Sequence, residues 1–200
     1  MEKYENPALS PEERAEDLVS RMTLQEKIGQ LGQKLYGFTC FARNGEEITL
    51  SREFEEEVER CYGLGTLYGL YRADPWSGKT FETGLDGALA PKARNQVQKY
   101  VMDHSRFHIP VLMSTECPHG HQALNGYLLP VNLASGCTFA PELLEEAAQV
   151  TGGQLCQMGV DLALVSALDI LRDPRWGRSE ECFSEDPYLA SQMGAAVIRA

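Results

Sequence analysis

Fifteen residues near one end of the chain, DPRWGRSEECFSEDP (173–187), gather two arginines, a tryptophan and five carboxylates, with proline near each end. A solvated loop has no need of Trp176, and a buried core holds neither Arg175 nor Arg178 without partners. These residue types suit a polyhydroxylated ligand: a guanidinium fork donates to hydroxyl oxygens, and a carboxylate accepts from hydroxyl groups. Two more carboxylates belong with this segment because of where they stand. Glu116 directly follows the apolar run IPVLMST (109–115), and Asp169 closes the run VDLALVSALD (160–169). Glu116 and Arg178 are therefore the candidates for ligand contact. Asp169 either touches ligand or orients the arginines. Asp173 and Arg175 read as an internal brace for the loop. Trp176 either offers an apolar face to a sugar ring or packs the loop against the body. Of Glu180, Glu181, Glu185 and Asp186, at least two serve only the dipole of a helix starting at Pro187.

A second constellation, HGH (119–121) with Cys117 nearby, invites a metal reading. Its spacing argues against one, because His119 and His121 are too close for an i, i+4 pair and Cys117 would have to share the same tight turn. His119 reads instead as a histidine hydrogen-bonded within a sharp loop, supporting the site. The sequence contains no serine nucleophile elbow, phosphate loop or dinucleotide fingerprint. No metal or cofactor is expected.

The elements that must position these groups follow from periodicity and capping. Ser10-Pro11-Glu12-Glu13 is a capping box with proline at the first helical position, followed by Ala15, Leu18, Val19 and Met22 at helical spacing. Thr23-Leu24-Gln25-Glu26 is a second box, with Leu24, Ile28, Leu31 and Leu35 on one face. Residues 1–35 are thus an amphipathic helical lead segment with a sharp bend. Residues 36–50 read as loop, and Phe54, Val58 and Cys61 mark a short helix. Residues 63–200 then read as strand–helix units. Strands are predicted over 63–70, 109–115, 129–136 and 160–170, and helices over about 92–106, 141–158 and from 187, with a long loop over 72–91. The run 160–170 is almost continuously apolar, as a parallel strand covered on both faces would be. The fold class is α/β, with the barrel favoured over a doubly wound sheet. In a (β/α)8 barrel, functional groups lie at the carboxyl ends of strands, where Glu116, Asp169 and Arg178 stand.

The composition narrows the function classes. Eighteen basic against 29 acidic residues leave a formal charge of −11, with no basic run, which disfavours nucleic acid and anionic membrane surfaces. No apolar run approaches the roughly 20 residues that span a bilayer. The first residues, MEKYENPALSPEER, have no apolar signal region, making the cytoplasm the default location. Six widely spaced cysteines without CxxC spacing read as free thiols.

With these residues in view, the chain resembles the N-terminal domain of glycoside hydrolase family three, the β-glucosidase and β-xylosidase family. The segments that carry the resemblance, in order, are RAEDLVSRMTLQEKIGQL (14–31), IPVLMSTECPHG (109–120), TFAPELLEEAAQVTGGQLCQMGVDLAL (138–164) and DILRDPRWGRSEECFSEDPYL (169–189). The last is the most diagnostic. The resemblance implies the front part of a (β/α)8 barrel, with Glu116 and Arg178 binding the sugar at the cleavage subsite. Many relatives carry aspartate where Glu116 stands. It also implies retaining hydrolysis by two carboxyl groups, one attacking the anomeric carbon and one serving as acid and base.

Neither catalytic carboxyl group is assigned here. No Ser-Asp-Trp/Tyr-like tripeptide occurs, and the family's Lys-His pair is absent. The chain closes at AAVIRA inside a helical pattern without a C-cap signal. These 200 residues are therefore read as the N-terminal portion of a larger enzyme, with the rest of the barrel and a C-terminal domain supplying both groups. The branch that cleaves N-acetylglucosamine typically lacks DPRWGR, so the expected activity is release of terminal β-D-glucosyl residues from glucosides or oligosaccharides. The alternatives are a β-xylosidase and a non-catalytic sugar-binding module. A third would use Asp169 or Glu181 as the nucleophile.

Overall fold

The lead segment forms as its capping residues dictate. In the computed structural model, which describes residues 2–165 and 168–200, helix α1 spans Pro11–Arg21 and α2 spans Leu24–Leu31. Both capping boxes are closed: the Ser10 and Thr23 hydroxyls accept from the backbone N–H groups of Glu13 and Glu26, whose carboxylates accept in return from the cap N–H groups. Glu26 has a second task. Arg106 donates to both of its oxygens, at 2.9 and 2.7 Å, tying the lead segment to the body.

Residues 36–50 are not a plain loop. They contain an antiparallel hairpin of β1 (Phe41–Asn44) and β2 (Glu47–Leu50), turning on Gly45 at φ 61°. Helix α3 (Arg52–Cys61) follows, capped by Ser51, and buries Phe54 and Val58 completely. The central sheet has three parallel strands in the order β3 (Thr66–Tyr68), β4 (Leu112–Glu116) and β5 (Leu162–Leu164). Between them lie α4 (Leu89–Asp103), α5 (Asn132–Gly136) and α6 (Pro141–Met158), and α7 (Pro187–Arg199) follows. Among the described strands spatial order follows chain order, without the reversal that marks a doubly wound sheet.

Two strand expectations are corrected. Residues 129–136 contain the five-residue helix α5 rather than a strand. The apolar run 160–170 contributes only Leu162–Leu164 as strand, with 166 and 167 outside the described residues. Nor is that strand covered on both faces: Leu162 and Leu164, which share one face, are exposed.

The main core lies beneath β3 and β4, where Leu67 and Met113 pack with Phe54, Leu85, Val97 and Val101. A smaller cluster joins Leu144, Phe183, Ala190 and Met193 under the segment that carries Arg178. That segment is fixed at its far end by Asp186, whose carboxylate accepts from the N–H groups of Tyr188 and Leu189 with Pro187 at the first helical position.

Candidate functional site at the strand ends

Because β3 and β4 are parallel, Tyr68 and Glu116 emerge at the same edge of the sheet, their carboxyl ends. Two loops meet there. The chain after β3 is bridged to the chain after β4 through Arg72 and Ala123, and the Ala73 N–H donates to the Gln122 carbonyl at 3.0 Å. Within the second loop Gly120 has φ 94°, and an added Cβ would lie 2.1 Å from the Tyr127 carbonyl oxygen, so only glycine lets the His119–Gly120 corner fold back on 127–129.

Glu116, His119, Arg178 and Glu181 line one open cleft of about 380 Å³, together with Arg72, Gln122 and Glu180. Arg178 donates to both oxygens of Glu181 from Nε and Nη2, at 2.6 and 2.5 Å. This pairing holds Glu181 below the usual carboxylate range and raises Arg178 above its own. Glu181 is thus Arg178's partner and not merely a charge near a helix start. Nη1 of Arg178 has no partner among the described residues and remains able to donate.

Glu116 is equally divided between protein and cleft. Its Oε2 accepts from the Tyr68 hydroxyl and from Arg72 Nη1, the latter at 3.0 Å, and its Oε1 has no partner among the described residues. Burial, the hydrogen bond to Glu116 and that residue's charge together push the Tyr68 phenol up, keeping it a donor. Arg72 in turn donates to Asp74 from Nε at 2.7 Å, with Nη2 at 2.6 Å from the same carboxylate oxygen. No local pattern singles out Arg72 or Tyr68. Their relation to Glu116 is created by strand pairing 44 and 48 positions apart.

The other sequence candidates stand outside the lining of the cleft. Asp173 caps the 3-10 turn Pro174–Trp176 and pairs with Arg175 at 2.5–3.1 Å, and the turn ends at Gly177 with φ 92°. Trp176 is about half exposed, and Asp169 is exposed near Arg178, whose charge it favours. The two histidines differ. His121 is fully buried, with Nε2 3.1 Å from the Thr115 hydroxyl, and burial lowers it to about 4. Among the described residues the His119 side chain has no hydrogen-bond partner, contrary to the expectation; its carbonyl accepts from Leu129 N–H, while Nδ1 is buried without a partner.

Among the described residues the arrangement leaves Glu116 Oε1, Arg178 Nη1 and the Glu180 carboxylate without partners on side chains that line an open polar cleft. Such a set accepts from and donates to hydroxyl groups and carries no nucleophile activated by a neighbouring base.

Comparison with known proteins places the chain in a family. Across 193 residues the chain is 33% identical to a lysosomal β-glucosidase of Dictyostelium discoideum, matching 92% of this chain and 22% of that protein. It is 29% identical to a periplasmic β-glucosidase/β-xylosidase of Dickeya chrysanthemi, over 95% of this chain and 28% of the relative. The crystal structure of a β-glucosidase from Listeria innocua superposes with a TM-score of 0.70 at 27% identity, covering 95% of this chain and 23% of that one. The chain thus spans less than a third of the length of these relatives. Residues 23–200 match the profile of the Glycosyl hydrolase family 3 N terminal domain, a TIM-barrel-type α/β fold, and the chain belongs to that family.

Proposed function

We propose that this chain supplies the sugar-holding part of a retaining β-glucosidase, with Glu116 and Arg178 binding the terminal glycone. The observation that carries the reading is the divided state of both groups: each is fixed by a protein partner, keeps an atom, Oε1 or Nη1, without a partner among the described residues, and belongs to a side chain that lines the same cleft. Fixed donors and acceptors of this kind bind hydroxyl groups without first having to be ordered.

On this reading the nucleophile and the acid/base lie outside these 200 residues. Glu181 is a poor nucleophile, since both of its oxygens are engaged by Arg178. Glu116 is poor for a related reason, with Oε2 already committed twice. Asp169 stands outside the cleft lining. His119, Asp173, Arg175 and Trp176 serve the site by shaping its rim and bracing the Arg178 segment.

The test is to express the full-length protein and assay aryl β-D-glucosides and β-D-xylosides, following the anomer first released by NMR. Retained configuration with higher kcat/KM for the glucoside supports the proposal. The Dickeya relative carries both activity names, so a preference for xylose would move the assignment to its second form. Sugar binding without hydrolysis would leave only a binding module.

A further inference from the structure

Glu116 ends a chain of polar contacts whose every other member is occupied. Asp74 is fixed by Ser77, which donates to it from its backbone N–H at 2.8 Å. Asp74 receives Arg72, and Arg72 donates to the Tyr68 oxygen and to Glu116. The tyrosine hydroxyl then donates to Glu116. The Arg72 guanidinium lies 4.4 Å over the Trp76 ring, and Trp76 is held edge-on by Tyr36 and Phe38 at 4.9 and 5.1 Å. With only 13% of its side chain exposed, Arg72 is a rigid, desolvated donor and not a mobile surface cation. Two donors converge on Oε2 and satisfy the two lone-pair directions of that oxygen, while Oε1 has no partner among the described residues on a side chain that lines the cleft.

We propose that Tyr68 and Arg72 are positioning residues that make Glu116 a single-oxygen acceptor, so that glycone recognition by this carboxylate is concentrated on one hydroxyl group. The inference rests on Glu116 binding the glycone. A carboxylate with both oxygens free spans two adjacent hydroxyls and shares its discrimination between them. A carboxylate with Oε2 locked offers one well-oriented acceptor, so loss of the matching hydroxyl is costly and loss of its neighbour is not. The glutamate side chain suits this geometry. An aspartate at the same strand end would draw the carboxylate back by about 1.5 Å, and it could not keep both the clamp and the cleft position.

The experiment uses the full-length protein and measures kcat/KM for an aryl β-glucoside and its 2-, 3-, 4- and 6-deoxy analogues. The variants are Tyr68→Phe, Arg72→Lys, Glu116→Gln and the Tyr68→Phe/Glu116→Gln pair, with thermal unfolding as a control for folding. In the wild type, one deoxy analogue is expected to lose at least about tenfold more than its neighbours, the worth of a hydrogen bond to a charged group. Tyr68→Phe is expected to lower kcat/KM on the parent by about tenfold and to shrink that one deoxy penalty, and Arg72→Lys to act the same way. In the Glu116→Gln background, Tyr68→Phe should add less than about twofold, since it acts through the carboxylate. Independent multiplication of the two effects, or a deoxy pattern unchanged by Tyr68→Phe, overturns the clamp while leaving the glucosidase reading intact. A wild type that neither hydrolyses the glucoside nor binds glucose by calorimetry overturns both.

Discussion

Arg178→Ala tests the site most directly, because its effects on activity and on stability are expected to separate. Nε and Nη2 each spend one N–H on Glu181, so the mutation removes what the remaining N–H groups, chiefly those of Nη1, give to a ligand, plus the fixed position of Glu181. One hydrogen bond from a charged donor is worth about 1.5–3 kcal/mol, which is roughly a 10- to 150-fold loss in kcat/KM at 1.36 kcal/mol per decade. The stability effect is far smaller, because the side chain is 63% exposed and its ion pair joins residues three apart, where solvent screens most of the attraction. Arg178→Lys keeps the charge but cannot hold Glu181 with a planar fork while also reaching the cleft, so it should fall between wild type and alanine. Steady-state kinetics of the full-length protein on an aryl β-glucoside, beside thermal unfolding, gives both quantities. Kinetics within twofold of wild type would refute the placement of Arg178 at the sugar. So would a loss of activity that merely tracks a loss of folded protein.

Other expectations follow from the same geometry. Gly177→Ala places a side chain at φ 92° with nothing within 4 Å of the new carbon. The cost is conformational, about 1–2 kcal/mol; the loop should relieve it by rotating Arg178, so kcat/KM falls by more than the small drop in Tm would suggest. The cleft is lined by Glu116, Glu180 and Glu181 against Arg72 and Arg178, one net negative charge. A β-glucuronide should therefore be hydrolysed at least about tenfold less efficiently than the β-glucoside, since a like charge at roughly 8 Å costs about 2 kcal/mol at an effective dielectric near 20. Equal rates would contradict the cleft's assignment. Acid lability should appear in two windows of a denaturant-midpoint series. His121, lowered from 6.5 to about 4 by burial, binds its proton more readily unfolded, so its share of stability is complete above pH 6.5 and is lost as pH falls toward 4. Glu26 and Glu57, held at about 2 by Arg106 and Arg60, contribute above pH 4.5 and lose that contribution as pH falls through 2. His121→Gln should flatten the first window alone, and Arg106→Gln should weaken only the second.

What the sequence disclosed and what it concealed divide by the range of the interaction. Ser10 with Glu13, Thr23 with Glu26, and Asp186 with Pro187 are read within four residues, because a cap is a contact between a side chain and the N–H groups of the next turn. The hairpin at 41–50 carries a local signal, glycine at the first position of a two-residue turn, but its flanking segments are four residues each and too short for alternation to stand out. The short helix α5 had no such signal, since five residues are too few for periodicity to declare itself. The end of strand β4 located Glu116, but nothing adjacent to Glu116 pointed to its partners. Tyr68 lies in an apolar run that needs no polar function to explain it. Arg72 opens a loop rich in glycine, proline and aspartate, where an arginine reads as solvated. Only the pairing of β3 with β4 and the bridge at Ala123 convert those two residues into the surroundings of a carboxylate. On the proposed reading a motif points to the group that meets the ligand, while residues brought alongside by sheet topology set that group's selectivity. Two chains sharing DPRWGR and an acidic residue before His-Gly can on this argument differ in which hydroxyl they demand, and the difference would be sought at the end of the preceding strand and not within either motif.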